Sequence, residues 1–201
     1  MKTIRVGITG HRILARTQAK EIETGMLKAL SRIARSFPAC KFEIVSALAE
    51  GADCLFAEIA LDFLKAELLA VLPMAQDVYL NDFSSEATKE VFGVLLQKSA
   101  RTPIILPKQI SRETAYLKAG EYITDHCDIL VAIWDGKPAQ GPGGTGQIVE
   151  LARRNKKLLI WILAGNRQPG THSPTHLGKD QGLVRFERFP KTGSFDESLH
   201  H

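Results

Sequence analysis

Gly136, Gly141, Gly143, Gly144 and Gly146 crowd between an apolar, β-branched run at residues 128–134 and a helical pattern that begins near Thr145. Glycine lets the backbone take positive φ and approach a ligand closely. The free N–H groups of a helix's first turn, with the helix dipole, attract an anion. The guest that suits a strand, a glycine loop and a helix start in this order is a phosphate. Gly143, Gly144, Thr145, Gly146 and Gln147 are the residues expected to hold it, with Trp134 and Asp135 opening the loop beside them. Gln147 and Glu150 stand three residues apart on one helix face. A carboxylate one turn beyond an anion suits the polarising of a sugar hydroxyl or the handling of a proton. The alternative for Glu150 is an acidic first turn that completes a cap with Thr145 or Gly146. The loop matches neither G-x-x-x-x-G-K-[ST] nor G-x-G-x-x-G, so no ATPase or ordinary dehydrogenase motif is present and no cofactor is implied.

Three other segments carry groups of the right kind. Thr9, Gly10, His11 and Arg12 place a flexible turn and two donors at the end of an apolar run. Arg12 can pair with a phosphate bidentately and His11 can exchange a proton near neutrality, or else His11 caps local backbone and Arg12 is solvated. In residues 46–53, Ser46 can donate, Ala47 and Gly51 permit close approach, and Glu50 or Asp53 can accept from ribose hydroxyls. The plainer reading of Asp53 is an acidic first turn of a helix. Tyr79, Asp82 and Phe83 can sandwich a base and accept a hydrogen bond, or fold onto the core. No metal site stands out. His172 and His176 have helical ligand spacing but lie in a stretch rich in proline and glycine, without the glutamate that such a motif needs.

The elements that must position these groups alternate. Apolar runs at residues 4–9, 42–47, 68–72, 102–106, 129–134 and 158–163 read as strands; between them apolar residues recur at three- and four-residue spacing, as Ile22, Met26, Leu30 and Ile33 do. Near-continuous apolar strands alternating with helices predict a single three-layer α/β domain of Rossmann-like type. Its sheet is expected to be mainly parallel, of about six or seven strands, with helices on both faces. In such a sheet ligands bind outside the carboxyl ends of the strands, where all four segments fall. The domain is expected over residues 1–165, followed by an irregular tail, 166–201, whose final histidines are native or a tag remnant.

With 201 residues, 44% of them apolar, the chain can bury one full core. Its 26 basic and 22 acidic side chains are scattered and no basic stripe is visible. Nucleic acid therefore stands last among the expected partners, and the cluster from Arg153 to Lys157 reads as a helix end whose cations suit the dipole. Cys40, Cys54 and Cys127 show no C-x-x-C spacing and read as buried free thiols of a reducing compartment. The chain begins in a strand without a signal peptide, and no apolar run approaches the ~20 residues of a membrane span. A cytoplasmic protein without membrane association is expected.

Pro142, Gly143, Gly144, Thr145, Gly146, Gln147, Ile148, Val149 and Glu150 resemble the P-G-G-x-G-T-x-x-E motif of the Lonely Guy family, with Gln147 in place of the threonine. The wider layout, T-G-H-R, S-A-L-A-E-G-A-D and C-D-I-L-V-A-I-W-D-G, is similar to the SLOG superfamily of Rossmann-like nucleotide-binding domains over residues 4–163. That resemblance implies a nucleotide or nucleotide-sugar ligand, bound as a sensor or accessory domain in bacterial defence or nucleotide signalling, and a homodimer. The Lonely Guy likeness implies an alternative, hydrolysis of the N-glycosidic bond of a nucleoside 5′-monophosphate, with Glu150 as the catalytic carboxylate. The family's Arg-Lys pair is missing from the preceding helix, so the catalytic cation would be Arg12 or Lys118.

Overall fold

A computed structural model of the chain describes residues 1–15, 17, 19–139, 141–166, 168, 171 and 180–190. The elements run β1 (Thr3–Gly10), α1 (Ala19–Ser36), β2 (Lys41–Ser46), α2 (Ala52–Leu64), β3 (Glu67–Leu72), α3 (Gln76–Tyr79), α4 (Glu86–Gln97), β4 (Ile104–Ile105), α5 (Arg112–Asp125), β5 (Ile129–Trp134), α6 (Thr145–Arg154), β6 (Leu158–Leu163) and β7 (Val184–Glu187). They build a seven-stranded sheet in the order β4-β3-β2-β1-β5-β6-β7, parallel except where β7 joins β6. The Rossmann-like α/β architecture expected from the alternation is present.

Strand β5 is apolar throughout because both of its faces are covered. In β5, Ile129, Val131 and Ile133 join one apolar cluster, while Leu130, Ala132 and Trp134 join the other. The first cluster takes Ile22, Met26, Leu30 and Ile33 of α1 and Phe56, Ala57 and Ala60 of α2; the second takes Ile123 of α5 and Ile148, Val149 and Ala152 of α6. Successive strand side chains point to opposite faces, so one buried strand serves two helical layers.

Two differences from the sequence reading concern the sheet edges. The fourth strand is shorter than residues 102–106, since only Ile104 and Ile105 pair with β3. Pro103 and Pro107 flank them and lack the N–H that would extend the ladder. At the other edge, β7 arises within the stretch read as irregular tail, its Val184 to Glu187 facing Ile162 to Leu159. Gly182 makes this return possible. It has φ +76, and a Cβ there would lie 1.9 Å from the Glu21 carbonyl oxygen.

Cys54 and Cys127 are buried free thiols, and burial pushes Cys127 up to about 12; Cys40 is half-buried. Among the described residues no helix is long and apolar enough to cross a membrane. His172 and His176 lie outside the described residues.

Candidate functional site

β1 leads through α1 to β2 on one side, while β5 leads through α6 to β6 on the other. The loops leaving β1 and β5 diverge, and the crevice between them is where an open parallel sheet binds its ligand. A cavity of about 100 Å³ opens there. This is the size of a small group, well below the ~300–1,000 Å³ of pockets that enclose whole drug-sized ligands. Gly10 and Arg12 form one wall, Ala47, Ala49 and Asp53 a second, Gly143, Thr145 and Ile148 a third. Tyr79 closes the base, and Tyr116, Ala119 and Gly120 bring in α5, an element the sequence reading did not assign to the site.

The glycine loop meets α6 as expected, but its N–H groups are not all free. Gln147 Oε1 accepts the Gly143 N–H at 2.9 Å, and the Gly141 carbonyl accepts the Gly144 N–H at 3.2 Å. Among the described residues the N–H groups of Thr145 and Gly146 have no acceptor, nor has the Thr145 hydroxyl a partner. Gly143 is held at φ +78 against α5, where a Cβ would come within 2.7 Å of the Leu117 nitrogen. Gly146 is backed by the loop that follows β5, its absent Cβ 2.8 Å from the Lys137 carbonyl oxygen. Trp134 is buried on the α6 side, where its indole N–H donates to that same carbonyl at 2.8 Å. It therefore braces the loop from behind rather than facing the cavity.

Arg12 reaches the cavity and is positioned on two sides. Its guanidinium donates to the Asp82 carbonyl oxygen at 3.2 Å and lies 5.5 Å from the centre of the Tyr116 ring. The Asp82 carboxylate is itself occupied, taking Arg112 at 2.5 and 2.6 Å and the Tyr116 hydroxyl. Asp82 thus orients the arginine and the tyrosine instead of offering itself to a ligand. Tyr79 and Phe83 pack edge to face with Phe92, as the core alternative had it.

His11 is spent on structure. Its N–H donates to Ile133, its carbonyl accepts from Ala52, and its Nε2 accepts the Asp135 N–H at 3.1 Å. Burial holds the imidazole below its ordinary 6.5, only partly opposed by the Asp135 carboxylate at 3.3 Å, which agrees with a neutral ring whose Nε2 is an acceptor. Asp135 Oδ1 also takes the Lys137 N–H, so this pair ties β1 to the loop after β5. Ser46 is fully buried with its hydroxyl oxygen accepting from Leu48, whose φ of 52 turns the chain so that Ala47 and Ala49 line the crevice. Glu50 binds the Ser84 backbone and hydroxyl and so joins the second loop to the third.

The structure does not bring Glu150 to the crevice. It is exposed, about 200° around the helix from Ile148 at 100° per residue, the opposite side from the one that meets the sheet. Lys118 is half-exposed and paired with Glu121 at 2.8 Å on the outside of α5. Neither lines the cavity with Arg12.

The carboxylate that does face the cavity is Asp53, 5% exposed. Burial pushes its carboxyl up to about 7 from 3.8, with a backbone hydrogen bond at Ala49 and the Arg12 charge opposing the rise. A signal for this lay in the sequence. Asp53 recurs with Ala57 and Ala60 at four and seven residues, on the apolar face of α2, where an ionisable side chain needs a reason. Beside it, the Tyr79 hydroxyl is raised well above 10, chiefly by burial and then by the Asp53 charge.

No family model matches the chain, and no curated protein does. Among solved structures it is similar to DNA processing protein A from Helicobacter pylori, described for a unique single-stranded DNA binding mode. The identity is 17% and the TM-score 0.49, over 89% of this chain and 69% of that one.

Proposed function

We propose that the chain binds a phosphate-bearing nucleotide or nucleotide-sugar in the crevice between β1 and β5, as a sensor or accessory domain. The observation that supports this reading is the placing of Arg12 and Thr145 on one cavity, the guanidinium positioned by its neighbours and the Thr145 N–H, like that of Gly146 next to it at the start of α6, without an acceptor among the described residues. A helix start and an arginine across from it are the two groups that hold a phosphate most economically. Glu43, Glu50 and Asp82 have their own partners elsewhere, so the carboxylate near the anion is Asp53 alone among those that line the cavity.

Glu150 has no part in this reading, and without it the hydrolytic alternative loses its carboxylate. Calorimetry with AMP tests both points. Arg12→Gln removes a charged donor worth about 1.5–3 kcal/mol and is expected to weaken AMP binding ~10–100-fold. Glu150→Ala is expected to leave the affinity unchanged. Unaltered binding in Arg12→Gln, or loss of binding in Glu150→Ala, contradicts the proposal. A single-stranded oligonucleotide serves as the comparison ligand, and its binding at the expense of AMP would replace a mononucleotide by nucleic acid as the partner.

A further inference from the structure

Two polar groups at the base of the crevice keep hydrogen-bonding capacity that no side chain among the described residues uses. Asp53 is 5% exposed and Tyr79 1%. The Asp53 carboxyl takes a backbone hydrogen bond at Ala49, but no side chain among the described residues bonds to it. The Tyr79 hydroxyl has no hydrogen-bond partner among them. No hydrogen bond joins the two, although both line the same cavity and the Asp53 charge is felt at the tyrosine. Buried polar groups are almost always hydrogen-bonded, and a pair left open toward a cavity is completed by what enters it.

The surroundings limit what that can be. A cationic group is disfavoured by Arg12 and by the positive end of α6. A second anion is disfavoured by Asp53. Ile8, Ile123 and Ile148 supply apolar walls, so the entering group is neutral, small and able both to donate and to accept. A hydroxyl does this; an aliphatic group does not. We infer that Asp53 and Tyr79 form a hydroxyl-binding subsite that reads the sugar of a ribonucleotide, Asp53 accepting from a ribose hydroxyl and Tyr79 donating to one. This rests on the phosphate reading above, since it is the anchored phosphate that brings the adjoining sugar to the base of the crevice. It distinguishes the ligand class further, favouring ribonucleotides over their deoxy counterparts.

The test compares AMP, 2′-deoxy-AMP and 2′,3′-dideoxy-AMP by calorimetry on the full chain and on Asp53→Asn and Tyr79→Phe. The unmodified protein is expected to bind AMP at least about tenfold more tightly than the dideoxy compound, because a missing hydroxyl leaves a buried partner unpaired. Asp53→Asn is expected to narrow that preference to within about threefold while binding the dideoxy compound as before, and Tyr79→Phe to lower AMP affinity several-fold without affecting the dideoxy compound. Equal binding of all three nucleotides by the unmodified protein overturns the sugar subsite and leaves the phosphate site standing. No binding of any of them overturns both. Should Asp53→Asn fail to fold, the preference of the unmodified protein and the response of Tyr79→Phe decide the matter alone.

Discussion

Gly51→Ala is expected to destabilise the protein by about 2–5 kcal/mol and to abolish ligand binding in whatever fraction still folds. Gly51 sits at φ 89 and ψ −119, immediately before α2, a conformation that glycine adopts freely and side chains do not. The strain of forcing alanine there is about 1–3 kcal/mol. Space adds a second cost. A Cβ would lie 2.1 Å from the Arg12 carbonyl oxygen, 2.5 Å from its carbonyl carbon and 2.8 Å from the His11 carbonyl oxygen. These are backbone atoms, held by the His11 bonds to Ile133 and Ala52, and they cannot swing aside as a side chain would. Relief requires the loop after β1 to move as a unit and carry Arg12 with it. Chemical denaturation measures the first effect and AMP calorimetry the second. Gly93, which meets nothing within 4 Å, is the control, since alanine there is expected to be neutral or slightly stabilising in the middle of α4. Equal stability of the Gly51 and Gly93 variants would show that the β1 and β2 loops are not locked together as described.

Asp53→Asn is expected to stabilise the ligand-free protein above neutrality and to flatten its pH dependence. The unfolded carboxyl ionises near 3.8 and the folded one near about 7. Between those values the native state keeps a proton that the unfolded state has released, so stability falls as pH rises through this window. The cost is absent below about pH 4 and complete above about pH 7, where it reaches on the order of 4 kcal/mol. An amide of the same shape carries no charge to desolvate. The gain from Asp53→Asn should therefore be about two to three times larger at pH 8 than at pH 5. His11 acts in the opposite sense, since its lowered pKa gives stability above 6.5 that is lost as pH falls. Because His11 is common to both proteins, the difference between them isolates Asp53. Urea unfolding at the two pH values that yields the same difference at each would mean that Asp53 is not buried as a costly charge. A residue that weakens the free fold and lines its cavity is what a binding site often retains at the expense of stability.

The layout of this protein was readable because its strands are local and continuous. The run from Ile129 to Trp134 is apolar at every position, and a strand so composed has to be covered on both faces, which with the alternating helices fixes a three-layer parallel sheet. The four loops at the carboxyl ends followed from that topology. What did not follow is which side chain of each loop turns inward. Glu50 and Asp53 lie three residues apart after the same strand, and only the position of Ser84, brought near by a separate loop, decides that Glu50 is taken and Asp53 left facing the cavity. Tyr116 belongs to the site because α5 crosses behind the glycine loop, a contact between residues remote in sequence. β7 is not legible in the sequence for a related reason. Val184 to Glu187 is a short segment in a polar, glycine-rich stretch, and its pairing with β6 is its main mark as a strand. Glu150 is a different case. Ile148 and Ala152 already define the inward face of α6, and their spacing places Glu150 on the far side. The resemblance to a glycosidase motif drew attention to a residue that the helical period had turned away.

The proposed phosphate site can be read amide by amide. In a titration of the isotopically labelled protein with AMP, followed by backbone amide resonances, the Thr145 and Gly146 signals are expected to move first and furthest. They should saturate together with the Arg12 guanidinium signal, while residues of α1 and β7 on the remote side stay fixed. Saturable shifts that leave Thr145 and Gly146 unmoved, or that centre on residues of α1 and β7, would place the ligand elsewhere and contradict a phosphate held at the start of α6.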